Sequence, residues 1–319
     1  MNMVGVDKDC RVCTPVYTYA NSCPGTADAA RGLRLALSET CSQERGLEAV
    51  HQRTGAPVHG SYAPAQFLRL MAEEPEVAHR VKLWQSLPSL IMAKWCCLKK
   101  GAPVSFSEAS WTGLLDFRKL EWDPPTVSLL EASGFDPTTL PQLADIDGLR
   151  TARVCGSALE RWPELADARL FLGIGDGAAA SVGSGCDAGS GNVAVTIGTS
   201  AAARLVLDAL HGSPRGRRSG GGAGMGMLAG EVAGVADRGG DDKGFQVPEG
   251  LWCYRLDRRR VVLGGALTDG GSVYQWMCET LGLRGEAERC SAMEEAAALP
   301  PAGHGVVILP FFSGERSPG

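Results

Sequence analysis

The sequence predicts an α/β protein, and three observations lead to this prediction. Short aliphatic runs bounded by glycine, such as residues 193–197 and 305–312, are typical of strands. Segments with apolar residues at helical spacing, such as 25–37 and 87–100, alternate with them. At 319 residues, the chain is long enough for one large domain or two ordinary ones.

The first half of the chain contains several elements with recognisable boundaries. Pro75 is expected to close one helix, while Pro88 in the first turn and Gly101 after the last turn bound another. Leu87, Ile91, Trp95 and Leu98 form the apolar face of that second helix. The predicted elements are strands at 4–7, 12–19 and 81–84, and helices at 25–37, 46–54, 62–74, 87–100 and 124–134, with another near 160.

A glycine-rich turn lies at the centre of the chain. The apolar run 170–172 predicts a strand that breaks at Gly173, and Asp176 then precedes a helix of small residues at 177–182. A carboxylate in this place either caps the helix or accepts the proton of an attacking hydroxyl. The residues alone leave both interpretations open.

A second turn follows closely. Strands are expected at 193–197 and 201–207, joined by Gly198, Thr199 and Ser200. This turn is either a plain hairpin or a nest in which backbone amides and two hydroxyls hold phosphate oxygens. Together the two turns offer an acid and an anion site.

A dinucleotide site is an alternative interpretation of the central stretch. Gly173, Gly175 and Ala178 match G-x-G-x-x-A after an apolar run. That fingerprint requires an acidic residue at the end of the next strand, to hold the ribose. The next strand ends in Gly198-Thr199-Ser200, and the segment after it is expected to be antiparallel. A dinucleotide-binding oxidoreductase is therefore a minor alternative.

Composition and charge exclude several classes. The formal net charge of −5 argues against a nucleic-acid partner. Eleven cysteines without paired regularity, and a C-x-x-C at Cys10 and Cys13 without further ligands at zinc spacing, predict no metal site and reduced thiols. No apolar signal segment begins the chain, and residues 87–98 are too short to span a membrane. We expect a cytoplasmic protein.

Glycine is abundant in the last third of the chain. Residues 211–250 are interpreted as a surface insertion or a partly disordered segment, and ordered structure is expected to return at 251–256 and 261–272. Gly264, Gly265, Gly270 and Gly271 precede a helix at 273–281. They either let a ligand approach the backbone or allow tight packing. A final strand is expected at 305–312.

Six segments, in order, resemble the FGGY carbohydrate kinases, and the gluconokinase-like branch most of all: RTGAPVH, SEASWTGLLDFRKLEWDP, GIGDGAAASVGSG, VTIGTSAAARL, GGALTDGGSVYQW and LPFFSGERSPG. The resemblance implies two actin-like, ribonuclease-H-type α/β domains with a cleft between them. It places a sugar-binding domain at 1–186 and a nucleotide domain at 187–319, both incomplete, with the insertion at about 211–250.

The resemblance also implies an activity, the transfer of the ATP γ-phosphoryl group to a hydroxyl of a sugar or sugar acid with Mg²⁺. Gluconate is favoured, neither nucleic acid nor a membrane is involved, and a homodimer is allowed. The roles implied are the catalytic base for Asp176, the γ-phosphate turn for Gly198, Thr199 and Ser200, nucleotide contacts for Gly264, Gly265, Gly270 and Gly271, and substrate contacts for Tyr19, Asn21, His59, Tyr62 and Asp176.

The sequence also departs from the family pattern. Relatives have an Asp-x-Gly-Thr hairpin before, and a Gly-Gly-Gly adenine loop after, the segments found here. Residues 18–23 read Thr-Tyr-Ala-Asn-Ser-Cys instead of a Thr-Trp-x-Asp-x-Arg sugar loop, and Gln66 replaces a common Lys. A non-catalytic remnant that binds a sugar or a partner is therefore the alternative to an active kinase represented by an incomplete chain.

Overall fold

The structure, a computed structural model, describes residues 2–20, 24–40, 46–208 and 245–300, together with 303 and 305. Residues 211–244 of the predicted insertion, and the final strand beyond residue 305, lie outside the described residues. Among the described residues, no helix combines the length and apolar character needed to cross a membrane. The predicted α/β class is confirmed.

The strands lie in one three-stranded, one four-stranded and two two-stranded sheets within the described ranges. Their bounds are β1 (Asn2–Val6), β2 (Tyr17–Thr18), β3 (Leu83–Ser86), β4 (Val104–Ser105), β5 (Leu115–Asp116), β6 (Glu121–Trp122), β7 (Leu143–Ala144), β8 (Val193–Ile197), β9 (Ala201–Asp208), β10 (Trp252–Arg255) and β11 (Arg260–Leu267).

The helices pack around these sheets. Their bounds are α1 (Pro24–Thr40), α2 (Gly46–Thr54), α3 (Ala63–Glu73), α4 (Pro75–Arg80), α5 (Leu87–Trp95), α6 (Phe106–Ser110), α7 (Pro124–Ala132), α8 (Gly156–Arg161), α9 (Asp176–Gly183), α10 (Gly271–Thr280) and α11 (Glu286–Ala298).

The four-stranded sheet carries the second predicted turn. Its order is β10-β11-β9-β8, and each neighbouring pair is antiparallel. Ile197 pairs with Ala201 across the turn, which confirms the predicted hairpin. A dinucleotide fingerprint lies between two parallel strands, but residues 170–172, which precede Gly173, belong to no strand in the described part of the chain. That alternative is wrong.

Local capping explains why several helices begin where the sequence predicts. The Ser86 side chain accepts a hydrogen bond from the Ser89 amide at the start of α5, over 3.2 Å. Asp123 does the same for the Thr126 amide in α7, also over 3.2 Å. Both caps satisfy a backbone donor that the first helical turn leaves free.

Four elements differ from the sequence prediction. The strand expected at 12–19 is limited to β2, Tyr17–Thr18. Helix α5 ends at Trp95 rather than near residue 100, because Cys97 adopts a positive φ of 52° that terminates the helix. Pro75 ends one helix but also begins α4, where a first-turn proline loses no hydrogen bond. Residues 170–172 form no strand ladder with any described residue, and the Leu172 amide donates instead to the Ile146 carbonyl in a loop.

The structure also corrects the prediction for the cysteines. Cys97, after α5, is joined to Cys155, before α8, by a disulfide. The prediction of uniformly reduced thiols is therefore wrong for this pair. Neither residue lies near the C-x-x-C sequence, so spacing alone gave no indication of the bond. The bond ties two helices that pack, with Leu170 and Leu172, in one apolar cluster.

Strand β10 packs against the end of α2. This contact joins the first and last parts of the chain. The Cys253 amide donates to the Gly55 carbonyl over 2.8 Å. Gly55 has a φ of +66° and would direct any Cβ atom into the Cys253 carbonyl, so glycine is required there. Gln52 exchanges two hydrogen bonds with the Val247 backbone, of 2.7 and 2.8 Å.

Candidate active site

Asp176 is the first residue of α9 and is exposed. Its Oδ1 accepts a hydrogen bond from the Gly177 amide over 2.7 Å, which fixes one oxygen against its own helix. The residue before it, Gly175, occupies the capping position and has no side chain to donate or accept. The carboxylate therefore helps to satisfy the helix start while facing solvent, and the two interpretations of this acid are compatible.

The turn between β8 and β9 presents its donors to solvent. Gly198, Thr199 and Ser200 are all exposed. The Gly198 carbonyl accepts from the Gly271 amide over 2.6 Å, and the Thr199 carbonyl accepts from the Gly270 amide over 2.9 Å. In a trans peptide the N–H points opposite to the C=O, so the amides of Thr199 and Ser200 point away from α10.

These donors are not used within the described part of the chain. Among those residues, neither the amides nor the hydroxyls of Thr199 and Ser200 bond to an acceptor. Two outward amides next to two hydroxyls are the groups that bind phosphate oxygens in backbone nests. The geometry is thus compatible with the predicted anion site, which stays a prediction.

Gly270 and Gly271 lie directly against this turn. A Cβ on Gly270 would be 2.7 Å from the Ser200 carbonyl carbon, and one on Gly271 would be 2.7 Å from the Gly198 oxygen. Glycine is therefore required for close packing, one of the two interpretations of this cluster. The packing joins the start of α10 to the hairpin turn, and a nucleotide contact remains a prediction.

Gly264 and Gly265 occupy a different place from the one that the sequence suggested. They lie within strand β11, paired with Arg204 and Ala203, rather than in the loop before α10. A Cβ on Gly264 would lie 2.6 Å from an atom of the Trp252 ring. Their role in nucleotide binding stays a prediction, since a buried strand position offers little room at Gly264 for a ligand.

Arg204 connects the Asp176 turn with the hairpin. Its Nε lies 3.0 Å from the position that a Cβ of Gly177 would take, and its Nη1 donates to the Thr196 hydroxyl over 3.3 Å. Helix α9 also contacts both β8 and β9. The acid at residue 176 and the strands that carry the turn at 198–200 are thus packed together.

The four predicted substrate residues other than Asp176 are more scattered. Tyr19 is exposed, and Asn21 lies outside the described residues. His59 and Tyr62 are half-buried and line a recess whose other walls are mainly apolar. The Tyr62 hydroxyl is 2.6 Å from the Tyr254 hydroxyl, and the Tyr254 ring packs at a tilt on Trp111 beneath the Asp176 turn. Their contact with a substrate stays a prediction.

Sequence reasoning did not identify three side chains beneath the Asp176 turn, those of Glu108, Trp111 and Arg204. Each has a buried nitrogen or oxygen without a hydrogen-bond partner among the described residues: Glu108 Oε2, Trp111 Nε1 and Arg204 Nε. Burial raises the pKa of Glu108 to about 7, and a hydrogen bond with Ser86 opposes that shift only in part. No local pattern indicates contacts between segments so far apart in the chain.

The described residues include no group of three or more His, Cys, Asp or Glu side chains placed to hold a metal ion. Asp176 and the turn at 198–200 nevertheless provide one carboxylate and a set of neutral donors. This arrangement suits a reaction in which positioning and charge complementarity matter more than covalent catalysis.

Comparison with known proteins finds kinases of gluconate, xylulose and glycerol as relatives. No family model matches the chain. It is 22% identical over 333 aligned positions to a gluconokinase of Bacillus subtilis (strain 168), covering 99% of this chain and 53% of that protein. It is 26% identical to a xylulose kinase of Lactococcus lactis subsp. lactis, covering 79% of this chain and 42% of that protein.

Solved structures agree with this result. A gluconate kinase from Lactobacillus acidophilus superposes with a TM-score of 0.71 at 20% identity, and a xylulose kinase from Rhodospirillum rubrum with 0.76 at 17%. Each match covers 99% of this chain and 54% of the other. The chain therefore has the actin-like α/β fold of the sugar kinases, and it spans about half the length of the relatives it matches.

Proposed function

We propose that this chain, which is similar to gluconokinases and xylulose kinases, is a carbohydrate kinase of the FGGY type that carries out ATP-dependent phosphorylation of a sugar or sugar-acid hydroxyl. The observation that supports the proposal is the placement of an exposed carboxylate, Asp176, on a helix packed against the strands whose turn presents unused donors. Residues 1–186 would bind the sugar and residues 187–319 the nucleotide. We also propose a cytoplasmic location.

Asp176 would act as the general base. Its Oδ1 is held by the Gly177 amide, which leaves Oδ2 to accept the proton of the substrate hydroxyl as the oxygen attacks phosphorus. Fixing one oxygen orients the other, and orientation is the larger part of what a base contributes in phosphoryl transfer. The exposed position gives a hydroxyl access without rearrangement of α9.

The turn at 198–200 would bind the oxygens of the γ-phosphoryl group while that group passes from ADP to the sugar hydroxyl. Its amides point outward because the carbonyls of Gly198 and Thr199 are held by the start of α10. Such preorganised donors stabilise charge on phosphate oxygens at no further cost in ordering. The Thr199 and Ser200 hydroxyls add two more donors on the same exposed turn.

The residues present fit the phosphate end of ATP with Mg²⁺. Magnesium in nucleotide sites keeps several waters and is held largely by substrate phosphates. Since the free oxygen of Asp176 is assigned to the substrate hydroxyl, Mg²⁺ would be bound here through the phosphates that the turn at 198–200 holds. ATP supplies the phosphoryl group, and Mg²⁺ neutralises its charge when bound. The chain's own residues hold the turn and the acid in place before either arrives.

Gluconate is the proposed substrate, supported by the gluconokinase of Bacillus subtilis and the gluconate kinase of Lactobacillus acidophilus. At 22% and 20% identity these relatives support a sugar-kinase substrate more strongly than a particular sugar. Xylulose and glycerol, named for other relatives, are the competing substrates. A direct comparison of gluconate, xylulose and glycerol therefore belongs in the assay.

The test measures ADP release by the full chain with each sugar, for the wild type and for Asp176→Asn. Removal of a general base should lower kcat by about 10²–10⁴-fold with little change in sugar KM. Asp147→Asn, which changes an exposed carboxylate in another turn, is the matched control and should match the wild type. Undiminished turnover in Asp176→Asn would refute the assigned base.

A second variant tests the phosphate turn. Thr199→Ala with Ser200→Ala removes both hydroxyls but keeps the backbone amides, so ATP KM should rise by about 10-fold, the cost of roughly one neutral hydrogen bond. Ser291→Ala, on the exposed face of α11, is the control. If the wild type releases no ADP with any sugar but binds one, the non-catalytic alternative is correct.

A further inference from the structure

Alternate residues of the turn before α9 face opposite ways. Ile174 and Asp176 are exposed, whereas Gly173, Gly175 and Gly177 face inward. A Cβ on Gly173 would lie 3.1 Å from the carboxyl carbon of Glu108, with similar approaches at the other two glycines. The inward face therefore has no room for side chains, and the strip of glycines is packed on side chains from other elements.

Trp111 fills most of this space. A Cβ on Gly175 would lie 2.8 Å from Cε2 of the indole, and one on Gly177 would lie 3.3 Å from Cη2. One rigid ring thus lies beneath both residues that flank Asp176. Because the ring spans both sides, the backbone of Asp176 cannot move inward without displacing it.

The indole itself is firmly held. Tyr254 packs on Trp111 with ring centroids 4.5 Å apart, and Trp252 stacks on Tyr254 at 4.8 Å. The Tyr62 hydroxyl lies 2.6 Å from the Tyr254 hydroxyl. The four aromatic residues form one block, which passes beneath the Asp176 turn and reaches Gly264 in β11.

Hydrogen bonding does not account for the indole in this position. Its Nε1 is buried and has no acceptor among the described residues, and an unsatisfied buried donor of this kind destabilises a fold. The ring therefore contributes to the structure through its shape rather than through a hydrogen bond. The flat indole ring packs against Gly175 and Gly177, the two glycines that flank Asp176.

We propose that Trp111 is a positioning residue that holds Asp176 at the angle at which its free carboxylate oxygen meets the substrate hydroxyl. This inference rests on the proposed kinase function for its effect on turnover. Its structural part, the restraint on the turn at 173–177, holds whether or not the chain is a kinase. Misplacement of a reacting group by about 1 Å lowers rates by up to about 10²-fold.

The first experiment compares Trp111→Ala with Trp111→Phe in the full chain. We expect Trp111→Ala to lower kcat by about 10- to 100-fold with ATP and sugar KM changed by less than about threefold, and Trp111→Phe to restore most of the rate. Trp162→Ala is the matched control, since Trp162 pairs with Trp95 at 5.4 Å and contacts neither glycine. Unchanged kcat in Trp111→Ala would overturn the proposal.

Hydrogen exchange supplies a measurement that is independent of activity. The Gly177 amide is bonded to Asp176 Oδ1, so its exchange rate reports how often the turn opens. We expect exchange at 173–180 to be at least about 10-fold faster in Trp111→Ala than in the wild type or in Trp162→Ala. An inactive wild type would refute the proposed function, and this exchange would still decide whether Trp111 restrains the turn.

A second variant tests the contact from the other side. Gly175 has φ −60° and ψ 141°, values open to alanine, so any loss in Gly175→Ala comes from the collision with Trp111 and not from backbone strain. We expect Gly175→Ala to accelerate exchange and lower kcat, and the smaller ring of Trp111→Phe to relieve the effect in the double variant. Gly183→Ala, in open space on the same helix, is the control. Additive losses in the double variant would contradict the proposal.

Discussion

The Gly271 amide donates to the Gly198 carbonyl over 2.6 Å, so the start of α10 lies directly on the turn between β8 and β9. This contact turns the carbonyls of the hairpin inward and its amides outward. It also depends on the lack of a side chain, because a Cβ on Gly271 would approach the Gly198 oxygen to 2.7 Å. The orientation of the candidate phosphate turn is thus set by a residue in another element.

Gly271→Ala should therefore destabilise the protein. The added methyl meets backbone rather than a flexible side chain, so the helix must move, and overpacking of this kind lowers the free energy of unfolding by about 1–3 kcal/mol. Urea denaturation measures the change, with Gly183→Ala as the control because a methyl there meets nothing within 4 Å. Equal stability of the two variants would show that α10 is not held against the turn.

Glu108 makes stability depend on pH. Its pKa is about 7 in the folded protein, against an ordinary value of 4.5, because burial disfavours the charged carboxylate. Between these two values the folded state retains a proton that the unfolded state has lost. The free energy of unfolding should therefore fall as pH rises from about 4.5 to about 7.

Glu108→Gln should remove that pH dependence. The neutral amide has no charge to bury, so the variant should gain about 1–3 kcal/mol relative to the wild type above pH 7 and differ little near pH 4. Urea midpoints across this pH range measure the difference. Glu131→Gln, at an exposed position of α7, should follow the wild type at every pH. Parallel curves for Glu108→Gln and the wild type would exclude a charged, buried Glu108.

Local patterns predicted the elements but not how they contact one another. The apolar runs at 193–197 and 201–207, interrupted by Gly198-Thr199-Ser200, predicted β8 and β9 almost residue by residue. Helix α5 was predicted too long because the sequence Cys96-Cys97 carries no glycine to indicate the left-handed residue at 97. Propensity does not reveal a positive φ in a residue that rarely adopts one.

In the candidate site, too, the local sequence predicted individual features but not the contacts between them. Asp176 and the turn at 198–200 could be identified because each stands at a break in a periodic pattern. Trp111 could not, since its contact with Gly175 joins two segments that no local rule relates. Gly173, Gly175 and Ala178 suggested a dinucleotide fingerprint, whereas the structure explains the two glycines by the side chains that lie at their Cβ positions.

The bond between Cys97 and Cys155 should stabilise the region before Asp176. It encloses a sequence separation of 58 residues, and closing a loop of this size lowers the entropy of the unfolded chain, for a typical gain of about 2–4 kcal/mol. The double variant Cys97→Ser with Cys155→Ser should lose about that much in the absence of reductant. Cys290→Ser, at an exposed free cysteine, should lose nothing.

Reduction provides the internal check. Dithiothreitol should lower the urea midpoint of the wild type to that of the double serine variant, and should leave the variant unchanged. Intact mass should rise by about 2 Da on reduction of the wild type, as one S–S bond takes up two hydrogens. A wild-type midpoint that does not respond to reductant would mean that the disulfide contributes nothing to stability.

Arg53 and Asp123 form a two-pronged ion pair between α2 and α7. Nε of Arg53 lies 2.6 Å from Oδ1 and Nη2 lies 3.2 Å from Oδ2 of a carboxylate whose side chain is 0% exposed. The same carboxylate caps α7 through the Thr126 amide and hydroxyl. Arg53→Met would leave that charge buried without its cation, at a cost of about 3–5 kcal/mol.

Two further variants separate charge burial from lost packing. Arg31→Met removes an exposed arginine that lies 3.4 Å from Asp28, and should cost less than about 1 kcal/mol. Adding Asp123→Asn to Arg53→Met removes the unpaired buried charge, and the amide oxygen of the asparagine can still cap α7. The double variant should therefore recover part of the lost free energy of unfolding. Urea denaturation measures all three. A double variant no more stable than Arg53→Met would show that lost contacts of the arginine, and not the unpaired carboxylate, cause the destabilisation.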